Sequence, residues 1–183
     1  MINSKNELKN YLKTEKQLYN LRKSWRILSF FNLSEPSIIW RYQRLLRIWE
    51  YHQNLNHRIR STFYKVRCNK LGRKYGFHIH PNNFGIGLHI LHLGSILVNE
   101  KVRVGRNCAL HINTALIATR GVSDSPTLGD DCKIGVGAIL VGGITLGNQV
   151  VIGAGAVVTK SFTENHVTIA GVPAKIISNN FNI

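Results

Sequence analysis

The sequence predicts a mainly β protein, a parallel β-helix shaped like a prism and preceded by a helical N-terminal segment. An aliphatic residue recurs every six positions through the C-terminal half, and glycine often follows it. Positive charge is concentrated before this repeat begins. We therefore expect a basic α-helical segment over residues 1–75 and a β-helix with a C-terminal cap over residues 76–183.

The bulk composition is that of a globular protein. The chain has 183 residues, and no run of about 18 apolar residues predicts a membrane-spanning helix. Charge runs through the first twenty residues, so we expect no secretory leader. The odd number of cysteines (Cys68, Cys108 and Cys132) argues against a disulfide framework and favours a reducing, cytoplasmic setting.

The positive charge separates the two regions. Residues 1–75 contain 17 Lys or Arg against 4 Asp or Glu, whereas residues 76–183 contain 7 against 5. The basic segment is consistent with peripheral contact with an anionic membrane. It is also consistent with helices that pack on the β-helix and on neighbouring subunits. A nucleic-acid or polysaccharide ligand would also suit the charge, but no nucleic-acid motif accompanies it, so we expect no nucleic acid.

The N-terminal segment contains helical patterns. Residues 4–23 have apolar side chains near helical spacing, which predicts an amphipathic helix. Pro36 marks the start of a second helical stretch, and residues 38–70 predict one long helix or two, with interleaved Arg and aromatic residues. Gly72 and Gly76 then lead into the β-helix.

The six-residue step continues over most of the second half. Its members are Val98, Val104, Leu110, Leu116, Val122, Leu128, Ile134, Leu140, Leu146, Ile152 and Val158. An α-helix would scatter these residues around its circumference, and glycines would interrupt one flat strand every six residues. A prism with short strands as sides and turns as corners satisfies both facts, with the aliphatic residues pointing inward. Cys108 and Cys132 also fall on inward positions, which predicts core cysteines.

Several short motifs accompany the repeat. Ile79-His80-Pro81 is similar to a "DIHP" motif, and Gly87 to His92 is similar to a "G-x-x-x-D-H" segment. Val98-Asn99-Glu100 is similar to "VGE", and Ala170 to Lys175 to a "GVPAR/K" loop. With the repeat, these motifs resemble the hexapeptide-repeat acyltransferases, and within them the serine acetyltransferase branch.

The resemblance implies a left-handed β-helix and an O-acetyltransferase that uses acetyl-CoA and no metal. It also implies a homotrimer with active sites between subunits. His92 aligns with the family histidine, so we expect it to act as the general base that takes a proton from the attacking hydroxyl. Glu100 and His78 are further catalytic candidates. His78 stands where the serine enzymes carry the Asp that orients this histidine.

Two differences from the motifs of the serine acetyltransferases bear on the identity of the acceptor. The family Asp before the catalytic histidine is Leu91 here, and the later "RHP" motif corresponds to Asp124-Ser125-Pro126. An amino-acid acceptor needs a partner for each of its charges. The run from His92 to Asn99 also resembles enzymes that acetylate sugars of surface polysaccharides, such as capsule, exopolysaccharide or lipopolysaccharide. We therefore expect a saccharide acceptor, with serine O-acetylation or a catalytically inactive scaffold as alternatives.

The resemblance also assigns binding residues. Polar side chains on the repeat are candidates to bind the acceptor: Asn99, His111 and Asn113. Small residues at coil corners and nearby lysines are candidates to bind acetyl-CoA: Ala118, Thr119, Gly137, Ala138, Gly155, Ala156, Lys160, Pro173 and Lys175. For the glycines, a corner that needs their conformational freedom is an equal explanation.

Overall fold

The computed structural model describes residues 1–21, 23–31, 33–119 and 124–179. Four helices precede a left-handed β-helix: α1 Lys5–Gln17, α2 Trp25–Phe30, α3 Glu35–Asn54 and α4 Arg58–Tyr75. Among the described residues, no helix is long and apolar enough to cross a membrane.

The first predicted helix is shorter than expected. It ends at Gln17 instead of residue 23, and α2 forms separately. Ser4 is the N-cap of α1, and its side chain accepts a hydrogen bond from the backbone N–H of Glu7. The second stretch divides into α3 and α4, with Pro36 in the first turn of α3. Gly76 ends α4 in a left-handed conformation, and β1 follows at once.

Fourteen short strands follow the helices in the described residues. They are β1 Phe77–His78, β2 His89–Ile90, β3 Ile96–Val98, β4 Arg103–Val104, β5 Ala109–Leu110, β6 Thr114–Ile117, β7 Thr127–Leu128, β8 Lys133–Ile134, β9 Ile139–Val141, β10 Thr145–Leu146, β11 Val151–Ile152, β12 Val157–Val158, β13 Thr168–Gly171 and β14 Ala174–Ser178. Each strand pairs with its equivalent in the next coil, and all these pairings are parallel except β13 with β14.

The strands form the three faces of a prism. Sheet I contains β1, β3, β6, β9 and β12, sheet II contains β4, β7 and β10, and sheet III contains β2, β5, β8, β11, β13 and β14. The antiparallel β13–β14 hairpin closes the last coil. The aliphatic residues of the six-residue step point into the prism, as Leu110, Ile134 and Leu140 show with no exposed surface. Cys108 and Cys132 are buried among them, as predicted.

The coil that begins with β6 is the longest in the described residues. Ile139 pairs with Val157 eighteen residues later, but Ala115 pairs with Ile139 across twenty-four residues. The longer interval contains the connection from β6 to β7, so the paired strands on either side do not keep the eighteen-residue coil that the unbroken step predicted. Val122, the predicted inward residue there, lies outside the described residues.

A buried charged cluster joins the helices to the first coil. Arg47 of α3 is 1% exposed and forms ion pairs with Glu15 of α1 at 2.7 Å and with Glu50 at 2.8 Å. Its guanidinium also donates to the carbonyl oxygens of Phe84 and Gly85. The helices and the coils consequently share one continuous core.

Candidate active site

Two edges of the prism flank sheet I. We call the corner between sheets III and I the histidine edge; it contains residues 91–95, 111–113, 135–138 and 153–156. We call the corner between sheets I and II the loop edge; its described residues are 79–83, 99–102, 118–119, 124–126, 142–144 and 159–161. The predicted site residues divide mainly between these two edges.

The histidine edge brings His92 and His111 together. Each follows a strand of sheet III, β2 or β5, and these two strands pair in adjacent coils. The centroids of the two imidazole rings lie 6.1 Å apart. The side chain of His92 is 58% exposed, so its ring is accessible to a ligand.

Glu35, which the sequence analysis did not select, is the carboxylate beside His92. Oε1 of Glu35 lies 3.5 Å from Nδ1 of His92 and accepts a 2.6 Å hydrogen bond from the backbone N–H of Leu93. The hydrogen bond from the Leu93 N–H holds the carboxylate of Glu35, at the start of α3, in this position. The Ser34-Glu35-Pro36 run predicted only a helix start, and no spacing links Glu35 to a histidine 57 residues later.

This arrangement favours one tautomer of His92. The negative charge of Glu35, 3.5 Å from Nδ1, favours the form with the proton on that nitrogen. Nε2 is then the unprotonated nitrogen that can take a proton from a hydroxyl.

His111 presents a polar atom with no partner. Its Nδ1 is buried and makes no hydrogen bond within the described chain. Burial, and then the charge of His92, lower the pKa of His111 below its ordinary value. Burial and then the charge of His111 likewise lower the pKa of His89. His111 is therefore neutral near pH 7 and can exchange hydrogen bonds with a bound hydroxyl compound.

At the next two corners of the histidine edge, no described side chain covers the backbone. Gly137 and Gly155 both have positive φ, 71° and 65°. A Cβ at Gly155 would meet nothing within 4 Å, and one at Gly137 would meet only Gly155 at 3.8 Å. Ala138 and Ala156 have no exposed surface, so only their backbone can contact a ligand. The main chain at these two corners is therefore accessible to a ligand.

The loop edge holds most of the other predicted residues. Asn99 accepts hydrogen bonds from the Lys101 N–H at 2.9 Å and the Ser125 hydroxyl at 3.2 Å, so its side chain organises the turn. His78 lies on sheet I with its ring 4.9 Å from that of His80. Among the described residues, neither His78 nor Glu100 contacts His92. Within one chain Glu35 is the side chain beside Nδ1 of His92, and the orienting role of His78 stays a prediction.

The remaining predicted residues lie farther along the prism. Ala118 and Thr119 begin the long connection after β6, and Lys160 lies over the ring of Phe162 at 5.3 Å. Pro173 lies at the turn of the β13–β14 hairpin, and Lys175 is exposed on β14. Asn113 has a φ of 59°, a conformation that asparagine tolerates at a corner, so the fold alone accounts for it.

Comparison with known proteins agrees with this architecture. The family described as "Bacterial transferase hexapeptide (six repeats)" matches residues 125–160. No curated protein matches the chain significantly.

Solved structures match almost the whole chain. A serine acetyltransferase from Brucella abortus strain S19 has a TM-score of 0.75 and 25% identity over 96% of this chain and 71% of that one. The same enzyme in complex with coenzyme A gives a TM-score of 0.73 and 26% identity, over 96% and 70% of the two chains. A serine acetyltransferase from Neisseria gonorrhoeae has the same fold, with a TM-score of 0.70, 23% identity and coverage of 96% and 68%. The chain is similar to the hexapeptide-repeat acyltransferases and, among solved structures, to serine acetyltransferases.

Proposed function

We propose that this protein is an O-acetyltransferase that uses acetyl-CoA and has His92 as its general base. The observation that carries the proposal is the placement of His92 between the anchored carboxylate of Glu35 and the ring of His111, on an exposed edge. The adjoining ridge of Gly137 and Gly155 offers space for the acyl donor.

Several residues of the chain have separate roles in the proposed reaction. Glu35 holds His92 in the tautomer that leaves Nε2 free, and Nε2 takes the proton of the acceptor hydroxyl as that oxygen attacks. Acetyl-CoA supplies the acetyl thioester that is attacked. Backbone N–H groups at the coil corners donate to the developing oxyanion. The tetrahedral intermediate then collapses with cleavage of the C–S bond, and the departing CoA thiolate takes the proton back from Nε2 of His92. His111 remains neutral and orients the acceptor through a hydrogen bond.

Two classes of acceptor have support. The structural neighbours are serine acetyltransferases, which favours serine. Glu35 also supplies a carboxylate for an ammonium group at the site, which Leu91 does not. Against this, the positions that resemble the family arginine and histidine are Asp124 and Ser125, so no cation replaces the expected partner of the serine carboxylate there. A sugar hydroxyl of a surface polysaccharide avoids that cost and is the second candidate.

The outward face of sheet I supports a trimer. Leu97, Ala115, Ile139 and Val157 are in register across four strands and form an apolar stripe. Leu97 is 42% and Ile139 36% exposed, so the stripe lacks a complete partner within the described chain. Packing this face against other copies brings the histidine edge of one subunit near the loop edge of the next. Glu100, His78, Ala118 and Thr119 then join the site of a neighbouring subunit.

The start of the chain supports peripheral membrane contact. Large apolar side chains on and after α2 are well exposed, at 61% for Ile27 and 67% for Phe30. Phe31 and Leu33 extend this patch, and Lys23 and Arg26 accompany it. An apolar patch with neighbouring cations suits an anionic bilayer surface. Salt-sensitive binding to anionic vesicles that is lost in Phe30→Ser would support the contact, and its absence would reject it.

The test of activity is thiol release from acetyl-CoA, with serine and a panel of sugars offered separately. Wild-type turnover that disappears in a folded His92→Ala variant supports the proposal. Turnover with serine or with a sugar decides the acceptor. Equal thiol release by wild-type and His92→Ala protein would overturn the role of His92 and favour an inactive scaffold.

A further inference from the structure

A large basic cleft lies on the loop-edge side of sheet I, outside the histidine edge. Its volume is about 870 Å³, and helix α4, the end of α3 and the first two corners of the loop edge form its walls. This volume lies in the range of small-molecule sites. His78 and Glu100 line the cleft and are proposed above to join the site of a neighbouring subunit, but the cations of the cleft have no role in the proposed reaction.

The walls carry four cations and one carboxylate. The cations are Lys65 and Arg73 of α4 with Lys101 and Arg103 of the second coil, and the carboxylate is Glu100. In the described part of the chain, Lys65, Arg73 and Lys101 form no ion pair with a carboxylate. This differs from Arg47 and Arg106, which are paired with acidic side chains.

Two of the cations have fixed positions. The Nη1 atom of Arg103 donates to the carbonyl oxygens of Glu100 and Val102, both at 2.8 Å. Nζ of Lys65 lies 5.9 Å from the ring of Trp49, within cation–π range. Holding cations in place before a ligand arrives reduces the ordering cost of binding.

Trp49 adds a donor without an acceptor. This residue belongs to the cleft wall and is 5% exposed, and its Nε1 has no hydrogen-bond partner in the described structure. An indole N–H can only donate, and leaving it unpaired in the interior is unfavourable. The cleft thus combines four cations with a single carboxylate, which is the complement of an anionic ligand rich in acceptor oxygens.

We propose that this cleft binds an anionic saccharide, through a phosphate or carboxylate group held by Arg73, Lys101 and Arg103. Guanidinium groups match the geometry of both oxyanions. The cleft is far larger than a single amino acid needs, which favours a sugar-sized ligand. Anion binding here does not depend on acyl transfer; the further step, that the ligand is the acceptor, rests on the proposed function.

Binding without acetyl-CoA tests the cleft directly. Titration calorimetry with the intact chain would compare glucose 6-phosphate, glucuronate, serine and glucose, at low and high salt. We expect measurable, salt-sensitive affinity for glucose 6-phosphate or glucuronate, and at least tenfold weaker binding of glucose and serine. The first two ligands distinguish a phosphate source from a carboxylate source.

Matched variants locate the binding. Arg73→Gln and Lys101→Gln should each weaken binding by about tenfold, the effect of losing one charge-assisted hydrogen bond. Lys70→Gln, on the same helix but lining a different pocket, should leave it unchanged. Light scattering would verify that each variant keeps the wild-type oligomeric state.

The NMR resonance of the indole N–H gives a second, independent test of binding in the cleft. The N–H resonance of Trp49, assigned with Trp49→Phe, should move downfield when the anion binds. Equal affinity for glucose and glucose 6-phosphate, or binding that survives both Arg73→Gln and Lys101→Gln, would overturn the proposal. Loss of acetyl transfer alone would leave this result unaffected, so failure of the cleft and failure of the proposed activity are distinguishable.

Discussion

The carboxylate of Glu35 lies 3.5 Å from Nδ1 of His92, although the two residues belong to different parts of the fold. Glu35 is in the first turn of α3, and His92 follows the first strand of sheet III. The buried Arg47 cluster fixes α3 against the first coil, so the helical segment sets the position of this pair. In the proposed mechanism the helices therefore contribute to the chemistry as well as to packing.

Replacement of Glu35 should impair turnover more than binding. We expect Glu35→Gln to lower kcat by roughly tenfold to a hundredfold, because the amide holds the tautomer of His92 less strongly than a carboxylate. The apparent KM for acetyl-CoA should change little. Steady-state kinetics measure both values.

The ¹⁵N spectrum of His92 separates this role from a structural one. Wild-type protein should show the tautomer protonated at Nδ1, and Glu35→Gln should show a mixture. Glu35→Asp keeps the charge and should retain part of the activity. Unchanged kcat and tautomer in Glu35→Gln would show that Glu35 does not position His92.

Stability should fall as the pH drops below about 6.5. The pKa values of His52, His80, His89 and His111 are lowered from 6.5, chiefly because burial disfavours the charged ring. Just below pH 6.5 the unfolded chain consequently binds more protons than the folded protein, so acidification favours unfolding. Thermal melts between about pH 7.5 and about pH 5 should show a decrease of at least a few degrees.

His111→Asn tests the contribution of one of these groups. This variant removes one depressed pKa, so its melting temperature should depend less steeply on pH over the same range. A wild-type melting temperature that stays constant or rises on acidification would contradict the sign of this prediction.

The sequence predicted the prism because the inward residues repeat along the chain. Ile134, Leu140 and Ile152 keep their six-residue step in the folded coils, and each is buried. The twenty-four-residue coil was not predictable from this step, because an interval longer by six residues leaves Leu116 and Leu128 in phase.

The candidate site was predicted less completely, because some of its residues lie on helices that are not part of the repeat. His92 and His111 follow β2 and β5, which pair in adjacent coils, but this pairing spans twenty residues and not eighteen, so the six-residue step alone does not predict their proximity. Glu35 reaches His92 only through packing of a helix that has no repeat in common with the coils. The cleft around Trp49 and Lys101 likewise depends on how α3 and α4 lie against the loop edge.

A charge on the apolar stripe should dissociate the oligomer. Ile139→Glu places a carboxylate at the centre of the outward face of sheet I, where burial between copies would cost more than the apolar contact returns. Light scattering should show a single chain instead of three. Thr145→Glu, exposed on sheet II, is the control and should keep the wild-type mass. If both variants kept it, sheet I would not be the interface.

Loss of Arg47 should destabilise the junction of helices and coils strongly. Burial disfavours its charged form, but the carboxylates of Glu15 and Glu50 outweigh this effect and raise its pKa. Arg47→Ala leaves both carboxylates buried without a cation, which should lower the free energy of unfolding by about 3–5 kcal/mol. Denaturant titration measures this change, and Arg58→Ala on the exposed start of α4 is the control.

Removing the two carboxylates as well should restore only part of the stability that Arg47→Ala loses. In Glu15→Gln/Arg47→Met/Glu50→Gln no charge remains buried in this cluster, so the variant should be more stable than Arg47→Ala. Recovery should be incomplete, because the carbonyl oxygens of Phe84 and Gly85 lose their donor. If Arg47→Ala proved as stable as the wild type, the cluster would not hold α3 on the first coil, and the positioning of Glu35 would need another explanation.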